Sequence, residues 1–215
     1  VGLAKDFFQN SLDSSPTSAI MRGHKKYFDQ IEELSEEQFQ KEKDIVDTFI
    51  QRLNAIEKDN LTSREKVTHG MLEFALSSNK DSLLDRSWEF GAGVAGFTGF
   101  LIDYNQQMFV PDSESADMML KRLELYKRLY SQIADVQKVG LNNNRVATER
   151  NLLRTIDQLE NYLASSLDQD PLLLVNFSPE ISDSEISEWK DKAKNIIEVN
   201  IRPTVSAYLD LSLIH

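Results

Sequence analysis

Apolar residues recur at helical spacing through most of the chain. One helix face is marked by apolar residues at intervals of four, four and three, namely Ile45, Phe49, Leu53 and Ile56. This spacing places all of them on the same side of a helix with 3.6 residues per turn. Comparable patterns predict helices that carry Val67 to Ala75, that span 113–139 and that span about 146–165. A last helix is predicted to begin at residue 183.

Helix starts are marked by capping boxes, in which a Ser or Thr stands three residues before a Gln or Glu. The pairs are Ser35 with Gln38, Thr62 with Glu65, and Ser182 with Glu185. In such a box each side chain bonds to the backbone N–H of the other residue, which satisfies two donors that the helix leaves free. These signals predict an all-α protein.

Helix ends are marked by proline and glycine. Ser15 and Pro16 are typical of the N-cap and first residue of a short helix, which Gly23 would end. Gly140 follows the long predicted helix at the position of a left-handed C-cap. Pro203 lies about twenty residues into the last helix, and we expect a kink or break there because proline removes a backbone donor and clashes with the preceding turn.

Length and composition indicate a single helical domain. The chain has 215 residues, eight Gly and five Pro, about half the usual share of these two residues. Few turn residues make an all-β sandwich or barrel improbable. We predict an irregular multi-helix bundle over 1–215, with a Gly-rich loop around 91–99, a kinked C-terminal helix and an internal hinge at 166–180.

Charge and cysteine content exclude several classes of function. The chain has no cysteine, which excludes disulfides, cysteine-bound zinc, iron–sulfur clusters and a thiol nucleophile. Its net charge of −11 argues against nucleic acid or an anionic membrane surface as the main partner. No apolar run approaches the roughly 18 residues of a membrane span. No signal peptide is recognised in the chain, so the compartment stays open.

The Gly-rich stretch 91–99 spells G-x-G-x-x-G, and Asp112 lies about twenty residues further on. The motif binds a dinucleotide only between a strand and a helix, because the pyrophosphate sits at that helix's N-terminus. Here the preceding segment 83–88 has a helical pattern, and Asp112 stands at another helix start. We therefore interpret 91–99 as a close-packed or flexible helical turn, with a substrate-lining loop as the alternative.

The histidines do not form a metal-binding pattern. His24, His69 and His215 are far apart in sequence, and only His69 has a potential ligand, Glu73, on the same helix face. A zinc site needs three or four convergent ligands. We predict no metal, no cofactor and no catalytic residue in this chain, which by itself is not expected to be an enzyme.

A series of short motifs follows one another in a recognisable order along the chain. They are Leu3–Phe8, Ser15–Ala19, Gly23–Asp29, Leu34-Ser35, Arg52–Ile56, the Leu123–Gly140 helix and Ile201-Arg202-Pro203 before Tyr208. Together they resemble the N-terminal part of the bacterial family known as domain of unknown function 885. The second half of the Gly23–Asp29 element departs slightly, because Phe28 stands between Tyr27 and Asp29.

The resemblance implies a larger protein of peptidase type. Members of the family are bacterial, often exported lipoproteins, and resemble helical zincin metallopeptidases. Their zinc motif, His-Glu-x-x-Pro-Gly-His-His, lies in the C-terminal half and has no counterpart up to His215. Zinc is therefore expected only in that further half, and an exported, periplasmic or lipid-anchored location is implied.

We accordingly expect a non-catalytic N-terminal domain that covers its own C-terminal catalytic domain and lines a substrate cleft. His24 and Tyr27 are the cleft candidates, since loops concentrate binding groups; the alternative is that Tyr27 is core and His24 a solvated turn residue. The other classes considered are an independent helical binding or scaffold protein and a self-sufficient hydrolase that uses 91–99. The apolar segment 205–215 is expected either to be buried in the bundle or to form a homodimer interface.

Overall fold

The computed structural model describes the backbone of residues 2–90 and 105–213 and the side chains of 2–90 and 105–210. The helices are α1 (Gly2–Asp13), α2 (Pro16–Met21), α3 (Glu36–Asn54), α4 (Ser63–Asp85), α5 (Ser113–Glu124), α6 (Tyr126–Asn142), α7 (Glu149–Ala164), α8 (Asp183–Ile196) and α9 (Arg202–Leu213). Two short parallel strands, β1 (Phe109–Val110) and β2 (Asn176–Phe177), pair with each other. The predicted all-α multi-helix class is confirmed.

Two hydrophobic clusters hold the helices together. The larger cluster takes residues from α1, α2 and α5 to α9, with Leu123, Tyr126 and Leu129 fully buried. The smaller cluster lies between α3 and α4 and is built on Val46, Phe49, Leu53 and Leu76. Within the described residues, no helix has the length and apolar character needed to cross a membrane.

The capping boxes form largely as predicted. Thr62 and Ser182 each exchange both bonds with the Glu three residues on. Ser35 accepts a hydrogen bond from the backbone N–H of Gln38 at 3.2 Å. The Gln38 side chain does not complete that third box, because its amide donates instead to Glu42, one turn further along α3, at 2.9 Å.

The predicted helix at 113–139 is two helices, which meet at Leu125. Gly140 is also not a left-handed cap: it lies inside α6, and the positive φ of 56° falls on Asn144. The reason is tertiary. A Cβ at Gly140 would lie 2.7 Å from the carbonyl oxygens of Glu89 and Arg145, so glycine is required there by close backbone approach.

Pro203 is accommodated by a change of helix type. A π-helical segment, Ile197–Ile201, separates α8 from α9, and Pro203 is the second residue of α9. The wider π turn opens the backbone around Val199, whose carbonyl the Pro203 ring would meet in a regular α-helix. Beyond it, Val205, Tyr208 and Leu209 are buried in the larger cluster, so this part of the apolar C-terminal segment belongs to the core.

The segment 166–180 contains two 3₁₀ turns, Leu167–Gln169 and Pro171–Leu173, followed by β2. Asp170, which is fully buried, caps the second turn by accepting from the backbone N–H of Leu172 at 3.1 Å. The same carboxylate binds the guanidinium of Arg202 at 3.0 Å. An ion pair thus connects this segment to α9, and the hinge proposed for 166–180 stays a prediction.

Candidate functional site

The two residues that the sequence singled out lie at the 3₁₀ turn Lys25–Tyr27: His24 is its N-cap and Tyr27 its last residue. Their ring centroids are 6.4 Å apart. His24 is half-buried, whereas Tyr27 is buried, with 1% of its surface exposed. The Tyr27 hydroxyl donates to Oδ1 of Asp13 at 2.5 Å and accepts from the amide of Gln9 at 2.9 Å. The hydroxyl of this buried residue therefore makes its hydrogen bonds with Asp13 and Gln9.

Asp13 lies where this turn meets a surface groove. The hydrogen bond from Tyr27 is the main cause that lowers the pKa of its carboxyl, with smaller effects from Gln9 and the charge of Lys26. Lys26 lies 3.7 Å from the same carboxylate and 4.6 Å from the centre of the Tyr27 ring. The arrangement keeps a negative charge at the edge of the groove.

The groove itself has a volume of about 710 Å³ and runs between the α1–α2 connection, the segment 29–34 and the start of α3. Its lining contains five carboxylates and one cation. The cation is Arg128, and the carboxylates are Asp13, Asp29, Glu32, Glu33 and Glu42. Pro16, Ile31, Leu34, Phe39 and Leu125 supply apolar surface. An acidic groove with an apolar floor suits a ligand that presents N–H donors or positive charge.

Several of these carboxylates already have partners. Glu42 accepts from the Ser14 hydroxyl at 2.7 Å and from Gln38, and Glu33 accepts from Arg128 at 2.7 Å. For the side chain of Asp29, no hydrogen bond occurs within residues 2–90 and 105–210. Asp29 is therefore the groove carboxylate that is most available to a ligand.

A buried polar network supports the groove from below. Glu32 accepts from the backbone N–H of Thr17 at 3.0 Å and from the Thr17 hydroxyl at 2.7 Å. Arg122, which is fully buried on α5, donates to the Thr17 hydroxyl at 2.5 Å and to the carbonyl oxygen of Gln30. Because these groups lie away from water, each bond that fixes them is strong. The network joins α5 to α2 and to the groove segment.

The donors that the structure describes do not fit a zinc ion. Nδ1 of His69 lies 3.8 Å from Oε2 of Glu73, and Lys58 binds that carboxylate at 3.2 Å. No group of three or more metal-binding side chains is found in the described part of the chain. Asp112 caps α5, accepting from the Ser115 N–H at 2.9 Å. The stretch 91–99 and His215 lie outside the described residues.

Comparison with known proteins adds one decisive match. The model of the family described as "Bacterial protein of unknown function (DUF885)" matches residues 16–212. The chain belongs to this family. No curated protein and no solved structure matches it. The family assignment confirms the resemblance that the motifs suggested and leaves the activity open.

Two of the motifs that suggested DUF885 each contribute a residue to a buried polar network. Thr17 comes from the Ser15–Ala19 motif and joins Glu32 to Arg122, and Arg202 comes from the Ile201–Pro203 motif and binds Asp170. Sequence analysis missed the role of Arg122, although a usable signal was present. Arg122 shares its helix face with buried Met119 and Ser115, where a charged side chain is unexpected unless it is paired.

A further missed cluster surrounds Glu89. Its carboxylate, which is fully buried, is bound by the guanidinium groups of both Arg86 and Arg145. The hydrogen bond from Arg145 is the largest cause that lowers the pKa of Glu89, followed by the bond from Arg86. Arg86 also binds Glu36 at 2.7 Å, so this cluster connects α4 to α3 and to the end of α6.

Proposed function

We propose that this chain is the non-catalytic N-terminal helical domain of a peptidase-like protein. In this proposal it covers a C-terminal catalytic half, which supplies the zinc site, and lines a substrate cleft with its acidic groove. An exported or lipid-anchored location of the whole protein is part of the proposal and rests on the resemblance alone. The observation that carries the proposal is an uncovered apolar face on α4.

That face is formed by Val67, Met71 and Phe74, which are spaced four and three residues apart. Their exposed fractions are 64%, 69% and 75%. The helix packs on α3 through a different side, where Leu76 is buried against Phe49. Contiguous large apolar side chains on a helix surface mark a surface that another protein segment covers. A second domain of the same polypeptide is the partner that the family resemblance supplies.

The groove supports the second part of the proposal. A peptide in extended form presents backbone N–H groups, and the acidic lining offers acceptors for them. Asp13 and Asp29 lie on its rim, and His24 precedes the turn that delivers Tyr27 to Asp13. In this arrangement His24 and Tyr27 are positioning residues near the cleft rather than groups that act on substrate.

The test begins with the reading frame that follows His215. A continuation that encodes His-Glu-x-x-Pro-Gly-His-His supports the proposal, and a stop codon favours an independent helical scaffold. In the longer protein, amide hydrogen exchange of α4 should be slower than in residues 1–215. Met71→Lys with Phe74→Lys should remove that protection, whereas Ser77→Lys on an exposed position of α4 should retain it. Equal exchange in both chains would refute domain covering by α4.

A homodimer through 205–215 is the other partner expected from the sequence, and it stays a prediction. Burial of Val205, Tyr208 and Leu209 removes these three side chains from any such interface. Sedimentation of residues 1–215 over a range of concentrations tests it directly.

A further inference from the structure

A second cavity, of about 700 Å³, lies between α1, the end of α3 and the start of α4. Most of its wall is aliphatic or aromatic: Leu3, Phe8, Leu53, Ile56, Leu61 and Leu72 line it. This size and lining are typical of sites that enclose a small apolar ligand. The acidic groove shares none of these residues.

A buried imidazole lines the same cavity. His69 has 6% of its surface exposed, and its Nε2 atom is buried without a hydrogen-bond partner. Its other nitrogen faces Glu73, whose charge is already balanced by Lys58. Buried polar atoms of proteins almost always have a partner, so an unpaired nitrogen on a residue that lines a cavity indicates a place for a ligand's polar group.

Positive charges outnumber negative ones at the cavity's rim, with two cations and one carboxylate. Lys5 and Arg64 line the cavity, are exposed, and have no ion pair among the described residues. The one carboxylate in the lining, Glu65, is engaged by the backbone N–H and the hydroxyl of Thr62 at 3.0 and 2.7 Å. In a chain of net charge −11, an apolar cavity with a cationic rim is locally complementary to an anion.

We propose that this cavity binds an aliphatic monocarboxylate. The hydrocarbon chain lies against the leucine-rich wall, and the carboxylate is attracted by Lys5 and Arg64. It accepts a hydrogen bond from Nε2 of His69 when both ring nitrogens carry a proton, since Nδ1 already faces the Glu73 carboxylate. An apolar tail and an anionic head account together for the wall, the unpaired nitrogen and the rim. This site is independent of the proposed peptidase role, since it requires no catalytic half.

The test is calorimetric titration of residues 1–215 with decanoate and, separately, with decanol. Decanoate should bind saturably at one site, and decanol about tenfold or more weakly, because a charge-assisted hydrogen bond is lost. Lys5→Gln with Arg64→Gln should weaken decanoate by about tenfold and leave decanol unchanged. Lys66→Gln, which removes an exposed lysine of α4 outside the cavity lining, should change neither titration.

His69→Phe keeps an aromatic ring at this position and removes both nitrogens. It should weaken decanoate by about tenfold or more and spare decanol. If circular dichroism shows this variant unfolded, the variant with Lys5→Gln and Arg64→Gln tests whether the cavity binds the carboxylate. Absence of saturable decanoate binding would overturn the proposal, as would equal affinity for decanoate and decanol. Binding of acetyl-leucyl-leucine in place of decanoate would also overturn it and indicate a peptide site.

Discussion

The guanidinium of Arg122 and the carboxylate of Glu32 face each other inside the bundle, with Nη2 3.9 Å from Oε2. The Thr17 hydroxyl lies between them, accepting from Arg122 and donating to Glu32. Because α5 supplies the arginine and the acidic groove supplies the glutamate, the shape of the groove depends on a contact that is remote in sequence. This relationship gives the first prediction.

Replacing Arg122 with Met should strongly destabilise the fold. It leaves the buried Glu32 charge without its counter-ion, a situation that costs about 3–5 kcal/mol in proteins. Arg128→Met is the matched control, since Arg128 makes an exposed pair with Glu33 at 2.7 Å and should cost less than about 1 kcal/mol. Urea unfolding at neutral pH measures both. Equal midpoints for the two variants would show that the buried pair carries no special stability.

Alanine substitutions at two helical glycines should have opposite effects on the stability of the protein. At Gly140 a Cβ would meet backbone atoms of Glu89 and Arg145 at 2.7 Å, so Gly140→Ala should destabilise by about 1–3 kcal/mol or more. At Gly70, on α4, nothing lies within 4 Å, and Gly70→Ala should stabilise by about 0.5–1 kcal/mol. Thermal melts of the two variants give the comparison, and a stable Gly140→Ala protein would contradict the close packing.

Asp112 should contribute a pH-dependent part of the stability. Hydrogen bonds from Lys25, first, and from Ser115 lower the pKa of its carboxyl to about 2 from the usual 3.8. A lowered pKa means that the contribution is complete above about pH 4 and disappears as the pH falls through about 2. Asp112→Asn keeps the helix cap and removes the charge. In urea titrations the free energy of unfolding of Asp112→Asn should be lower than that of the parent chain at neutral pH, and the difference should shrink below about pH 4. A deficit of constant size across this range would assign no role to the charge.

Substitutions at Tyr27 and His24 should differ in whether they affect stability or function. Tyr27→Phe removes the bonds to Asp13 and Gln9 and should cost about 1 kcal/mol. His24→Ala, at a half-buried position whose side chain makes no hydrogen bond among the described residues, should change stability by less than about 0.5 kcal/mol. In a longer chain that carries the zinc motif and has measurable peptidase activity, His24→Ala should lower turnover. Unchanged turnover in both variants would remove the two residues from the cleft.

The C-terminal helix should behave as core. Val205→Asp places a charge in a fully buried position and should unfold the protein or cost several kcal/mol, since a buried charge without a partner is highly unfavourable. Ser206→Asp, at the exposed neighbouring position, is the control and should be nearly neutral. Circular dichroism and gel filtration distinguish the outcomes. A folded, soluble Val205→Asp protein would mean that α9 can detach from the bundle.

Local signals predicted the helices well because capping and periodicity act within a few residues. Thr62 and Ser182 form their boxes whatever the rest of the chain does, and Gly23, with φ of 84°, ends the short helix that begins at Pro16. Nothing local distinguishes one long helix from two, so the junction at Leu125 was missed. It depends on how α5 and α6 pack separately into the core.

The candidate sites depended on contacts that no short pattern contains. Glu32, Glu89 and Asp170 look like ordinary acidic surface residues in the sequence, and only the fold buries each of them against arginine. Tyr27 is buried in the larger cluster, and its bond to Asp13 joins two elements that the turn alone does not bring together.

The sequence by itself determined that this chain is all-helical, where the helices with capping boxes begin, and to which family it belongs. Those properties follow from backbone hydrogen bonding and side-chain spacing within single segments. Tertiary structure alone decided which apolar face became core. Val67, Met71 and Phe74 have the spacing of a buried stripe, yet α4 packs on α3 through Leu76 and leaves that stripe exposed. Periodicity identifies an apolar face, and only the arrangement of neighbouring helices determines whether it meets protein or water.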